Sequence, residues 1–155
     1  DPRCPEGVVV QGLERVARDG AIIDVTAYEG GRMPFDDGAY DVVIVADVLH
    51  HEEDDEALLR ECSRVAARHV VLKDHRRQGV LAQSRISFID WAANAPYGVP
   101  CLFRYRTSAE WRDVFTRNGL DVHEELESMH LYPVGVNLLF GRGLHYLAVL
   151  EERRS

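Results

Sequence analysis

An unbroken apolar run, Val42 to Ala46, follows Tyr40-Asp41 and ends at Asp47. A strand with one wet face alternates apolar and polar residues, whereas a strand covered on both faces is apolar at consecutive positions. The run therefore reads as a central parallel strand. From Asp54 to about Arg68, apolar residues recur at Leu58, Cys62, Val65 and Ala66, with acids in the first turn and Arg64 and Arg68 near the end. That spacing and charge order suit a helix and its dipole. His69 to Lys73 is the next strand, and strand, helix, strand is the crossover unit of a parallel sheet.

The remaining elements are marked by turn residues and caps. Val8-Val9-Val10 after Gly7 reads as a buried strand ending near Gly12-Leu13-Glu14, and Ile22 to Tyr28 repeats the pattern. Glu29-Gly30-Gly31 and Met33 to Gly38 are loops. A second helix is expected from about Val80 to Trp91, stopping before the turn-rich stretch Asn94 to Pro100. Thr107-Ser108-Ala109-Glu110 offers a capping box, Trp111, Val114 and Phe115 an apolar stripe, and Asn118-Gly119 a stop. Leu120 to Leu126 and Leu144 to Leu150 are the last strands, separated by a long loop with Pro133, Gly135, Gly141 and Gly143. No internal repeat or linker divides the chain, which reads as a single domain over 1–155.

Composition bounds the function. With 155 residues, 46% of them hydrophobic, the chain can bury a core. A net charge of -8 with no basic block disfavours a nucleic-acid substrate and leaves a small molecule as the default partner. No apolar stretch approaches a membrane span. Cys4, Cys62 and Cys101 fit neither a disulfide framework nor a paired-thiolate zinc site, and read as thiols of a cytoplasmic protein.

Several segments, in order, resemble the class I Rossmann-like methyltransferases that use S-adenosylmethionine, in particular the type 11 group. Met33-Pro34-Phe35-Asp36-Asp37-Gly38-Ala39-Tyr40-Asp41-Val42-Val43 looks like that family's approach to its fourth strand, and Ala46-Asp47-Val48-Leu49-His50-His51 like the stretch after it. Gly12-Leu13-Glu14 looks like the end of the second strand, Tyr28-Glu29-Gly30 like the turn after the third, and Arg64-Val65 to Lys73 like the helix and fifth strand that follow. The resemblance implies an α/β fold: a Rossmann-like, mostly parallel sheet with helices on both faces and an antiparallel C-terminal hairpin. It also implies a glycine-rich turn after the first strand, which this sequence lacks. Only 13 residues precede Glu14, so the resemblance implies an N-terminally truncated chain without its first strand. The sheet edge left open would offer a route to a homodimer.

In an open parallel sheet the ligand lies beyond the carboxyl ends of the strands. The resemblance accordingly implies that Glu14 holds the ribose of S-adenosylmethionine, that Tyr28, Glu29 and Gly30 lie beside its adenine, and that Ala46 and Asp47 adjoin its reactive end. His50 and His51 follow the fourth strand and are the candidate catalytic pair, since an imidazole of near-neutral pKa can take the proton of a methyl acceptor. His50 and His75 are the expected contacts on the substrate side. Trp91, Phe88, Tyr97 and Phe103 are candidate walls of that pocket or core residues, and His69, His123 and His145 are expected to pack. The acidic run His51-Glu52-Glu53-Asp54-Asp55 reads as a solvated first helical turn, and no metal is expected. The expected activity is methyl transfer to a small molecule. The rivals are a binding or scaffold domain that lost the cofactor loop and a nucleotide-dependent oxidoreductase; an antiparallel hairpin ending the sheet speaks against the second.

Overall fold

A computed structural model describes residues 7–15, 20–126, 129, 131, 133–141 and 143–153. The chain divides into two compact units, Asp1–Pro34 and Phe35–Ser155. In the first unit, β1 (Gln11–Glu14) and β2 (Asp24–Ala27) pair in parallel, Gln11 opposite Asp24 and Glu14 opposite Ala27. The ladder continues past the strand ends, where the Tyr28 amide donates to the Glu14 carbonyl at 2.9 Å. The valine run expected as a strand lies outside β1, with Val9 83% exposed. Three branched residues favour extended backbone, but only Gln11 to Glu14 find a partner strand.

The second unit contains β3 (Tyr40–Ala46), α1 (Asp55–Val65), β4 (Ala66–His75), α2 (Ala82–Asn94), α3 (Ser108–Arg117), β5 (Leu120–Leu126), α4 (Val134–Phe140) and β6 (His145–Glu152). Its sheet runs β3-β4-β6-β5, with β3 and β4 parallel and β6 antiparallel to both β4 and β5. The parallel crossover and the closing antiparallel hairpin are as the sequence led us to expect. The helix before β4 is shorter than its apolar spacing suggested, because Ala66 to Arg68 already belong to the strand. Within the long loop expected between the last two strands, residues 134 to 140 form α4 despite Gly135 inside it and Gly141 at its end.

The central-strand reading of β3 is corrected. Among the described residues β3 is the edge of its sheet. Val45 is buried, but Val42 and Ile44 are 44% and 71% exposed. The register puts Val43 and Val45 opposite Val70 and Leu72, and those opposite Leu150 and Ala148. This face is buried, and α1 packs on β3 and β4 through Leu59, Cys62 and Val65. The consecutive apolar run thus serves one covered and one bare face.

Helix α3 is the best-determined by its own sequence. The Thr107 side chain accepts from the Glu110 amide at 3.2 Å, and the Glu110 carboxylate accepts from the Thr107 amide at 2.7 Å, the reciprocal cap expected. Gly119, with φ +69°, turns the chain into β5. Its stripe Trp111, Val114 and Phe115 is buried, with Trp111 stacked on Tyr146 of β6 at 6.3 Å and 7°. Cys4 lies outside the described residues. Cys62 is a buried free thiol and Cys101 a half-buried one. No described helix is long and apolar enough to cross a membrane.

Candidate active site

Strand β4 ends on Asp74 and His75, and the 3-10 turn Leu49–His51 follows β3, so two histidines and an acid meet at the carboxyl ends of two parallel strands. His50, Asp74 and His75 are 3%, 1% and 6% exposed. One oxygen of Asp74 accepts from the His75 amide and from Nδ1 of His50, both at 2.6 Å. A third element brings Asp90. Its carboxylate lies 3.6 Å from Nε2 of His50 and 3.5 Å from Nε2 of His51, accepts from the Tyr105 hydroxyl at 2.6 Å, and accepts from the Asn94 amide at 2.8 Å.

The charges in this cluster follow from burial and from these partners. Burial opposes a charge on His50, but its hydrogen bond to Asp74 and the nearby negative charge of Asp90 outweigh it and raise the pKa to about 9. Burial likewise pushes Asp90 up, and the nearby His50 together with the hydrogen bond from Tyr105 overcomes it, bringing the carboxyl down to about 2. The Tyr105 phenol is pushed up by burial and by the Asp90 carboxylate. His75 is lowered by burial and by the charge of His50, 5.0 Å away between ring centres.

His145 faces His75 across the β4-β6 ladder and is buried, as expected of a packing residue. Burial, helped by Lys73 and His75 and opposed by Asp47, pushes it down to about 4 from 6.5. Because its folded pKa lies below its unfolded one, this group's contribution to stability is whole above about pH 6.5 and is lost as pH falls toward 4. Urea denaturation should show stability falling through that window by about 2 kcal/mol more in the parent than in His145→Leu; equal slopes would contradict the assignment.

The other expected site residues divide between the two units. In the first, Glu14 is exposed at the carboxyl end of β1, and Tyr28 donates to the Gly31 carbonyl at 2.5 Å. Glu29 and Gly30 are exposed, and Gly30 has φ +98°, a conformation that suits glycine. In the second, Ala46 ends β3, and Asp47, at φ +53°, forms an ion pair with Lys73. The structure brings His50, His51 and His75 together. Phe88, Trp91, Tyr97 and Phe103 are 57%, 55%, 74% and 42% exposed, so they are not core. Only the end of the acidic run reaches the helix: Asp54 caps α1 through the Ala57 amide at 2.9 Å, and Asp55, in the first turn, pairs with Arg106, while Glu52 and Glu53 precede it.

Sequence reasoning missed Asp90 and Tyr105. A signal for Asp90 existed, since it follows Ala82 and Ile86 at four-residue steps on the buried side of α2, a position where an ionised acid needs partners. Tyr105 lies in irregular chain and had no such signal.

Residues 6–72 match a family described as "Methyltransferase domain". No curated protein matches the chain. Among solved structures, a SAM-dependent methyltransferase of Methanosarcina mazei is similar with TM-score 0.65 and 11% identity, over 95% of this chain and 83% of that one. An S-adenosylmethionine-dependent methyltransferase of Mesorhizobium loti gives 0.61 and 14%, over 93% and 80%. A Haloferax volcanii structure, described as a complex of the Trm112 methyltransferase activator with a methyltransferase, gives 0.63 and 14%, over 93% and 72%.

Proposed function

Because this chain has the class I S-adenosylmethionine-dependent methyltransferase fold, we propose that it transfers a methyl group from S-adenosylmethionine to a small organic acceptor. The observation that carries this reading is the buried His50, Asp74 and Asp90 cluster at the carboxyl ends of β3 and β4, where open α/β sheets bind their ligands. When bound, S-adenosylmethionine supplies a methyl group on a positively charged sulfur, open to in-line attack.

Each unit offers residues that fit part of the cofactor. The exposed Glu14 carboxylate has free acceptor capacity for the two ribose hydroxyls. The turn of Tyr28, Glu29 and Gly30 suits the adenine, because a Cβ at Gly30 would meet only an Arg15 nitrogen, at 3.8 Å. In the second unit, Ala46 and Asp47 are assigned to the reactive end. His50 and His51 are the catalytic pair of this reading and, with His75, line the acceptor side, so that most of the rate comes from alignment. The acidic charge favours a small molecule over nucleic acid, and the free thiols suit a reducing cytoplasm.

Incubation of the gene product with methyl-labelled S-adenosylmethionine and a panel of phenols, amines and carboxylic acids tests the reading. Label in an acceptor, with S-adenosylhomocysteine released, is expected. No transfer together with no binding of the cofactor would favour the scaffold alternative, a domain that lost the cofactor loop.

A further inference from the structure

The tethers on His50 and His51 decide what their far nitrogens can do. Nδ1 of His51 lies 3.0 Å from the carbonyl oxygen of Pro100, which only accepts, so Nδ1 carries the proton and Nε2 is left with a lone pair. Nδ1 of His50 lies 2.6 Å from Asp74, whose same oxygen already takes the His75 amide proton, so His50 also donates from Nδ1. Both Nε2 atoms then face one acceptor oxygen of Asp90, at 3.6 and 3.5 Å, too long for good hydrogen bonds. The three atoms, one from each side chain, lie within 4.8 Å of one another; with His50 raised to about 9 its Nε2 holds a proton in the metal-free protein, and that proton would leave as a cation binds.

We propose that His50 Nε2, His51 Nε2 and Asp90 Oδ1 form a binding site for a divalent transition-metal ion of the zinc class. Ligands at roughly 2.0–2.2 Å from a tetrahedral ion stand about 3.3–3.6 Å apart, so the two nitrogen-to-oxygen separations already match. The supporting shell is the one metal-binding histidines use: a carboxylate behind His50 and a backbone carbonyl behind His51, each fixing the tautomer and the ring. The Tyr105 hydroxyl, 2.6 Å from the other Asp90 oxygen, holds the third ligand. Two imidazoles with one carboxylate select zinc, cobalt or nickel over magnesium and calcium, which prefer all-oxygen sites. Three protein ligands leave a fourth position open, as catalytic zinc sites do. The site stands on the geometry of residues 50 to 105; only its placement beside a methyl acceptor rests on the reading above.

Cobalt(II) is the probe, because its visible absorption reports ligand geometry. Metal-free gene product should bind one ion per chain with a saturable visible spectrum that zinc(II) displaces. His51→Ala and Asp90→Asn should each weaken binding at least about tenfold, and Asp74→Asn, which leaves all three ligands, by about 10–100-fold. His51 is half-buried and its loss leaves the core intact, so far-ultraviolet circular dichroism of His51→Ala should match the parent. No cobalt spectrum in the parent, or an unchanged titration in a folded His51→Ala, overturns the site. Titrating S-adenosylhomocysteine into the same samples keeps the two readings apart: loss of metal binding with the nucleoside still bound counts against the metal alone.

Discussion

Trp111→Ala should cost about 3–5 kcal/mol of stability, the range for emptying a buried aromatic site. Trp111 is 2% exposed, stacks on Phe115 at 5.8 Å and on Tyr146 at 6.3 Å, and donates from its indole nitrogen to the His75 carbonyl at 3.3 Å. The Arg106 guanidinium lies 4.9 Å from its ring centre. The substitution therefore removes packing between α3 and β6 and leaves a carbonyl beside the site short of a donor. For a chain of this size the loss corresponds to a fall in Tm of roughly 10 °C. Denaturant unfolding measures it, and Trp111→Phe should lose markedly less because the ring stack survives. A cost below about 1 kcal/mol would mean that Trp111 does not join the helix to the sheet.

Asp74→Ala is the second large effect and has a different cause. Asp74 is 1% exposed and takes hydrogen bonds from His50 and from the His75 amide through one oxygen. Removing one partner of a buried, hydrogen-bonded pair leaves the other uncompensated, at about 3–5 kcal/mol. The pair itself does not earn that much, since an apolar replacement of both members can be nearly neutral. Asp74→Leu combined with His50→Leu should therefore be more stable than Asp74→Ala alone. A double-mutant cycle showing no coupling between positions 50 and 74 would contradict the contact.

The sequence revealed most where local signals and tertiary structure agree. The crossover from β3 through α1 to β4 was legible because helix spacing, charge order and two apolar runs lay in direct succession. The cap of α3 was legible because its hydrogen bonds close within four residues. The bare face of β3 was not, because Val42 and Ile44 have the same composition whether or not something covers them. Helix α4 was hidden by Pro133 before it, Gly135 within it and Gly141 after it, which read as loop. His50, His51 and His75 were visible as residues following strand ends. Their union with Asp90 joins positions 40 residues apart, and only the chain's tertiary path makes it.

Calorimetric titration of S-adenosylhomocysteine into the gene product and into its Glu14→Ala variant tests the proposed methyl transfer most directly. Saturable binding, weakened roughly 10–100-fold by loss of the charged hydrogen bonds to the ribose, is the expected result. Absence of binding to the parent, or equal binding to both proteins, would contradict the account.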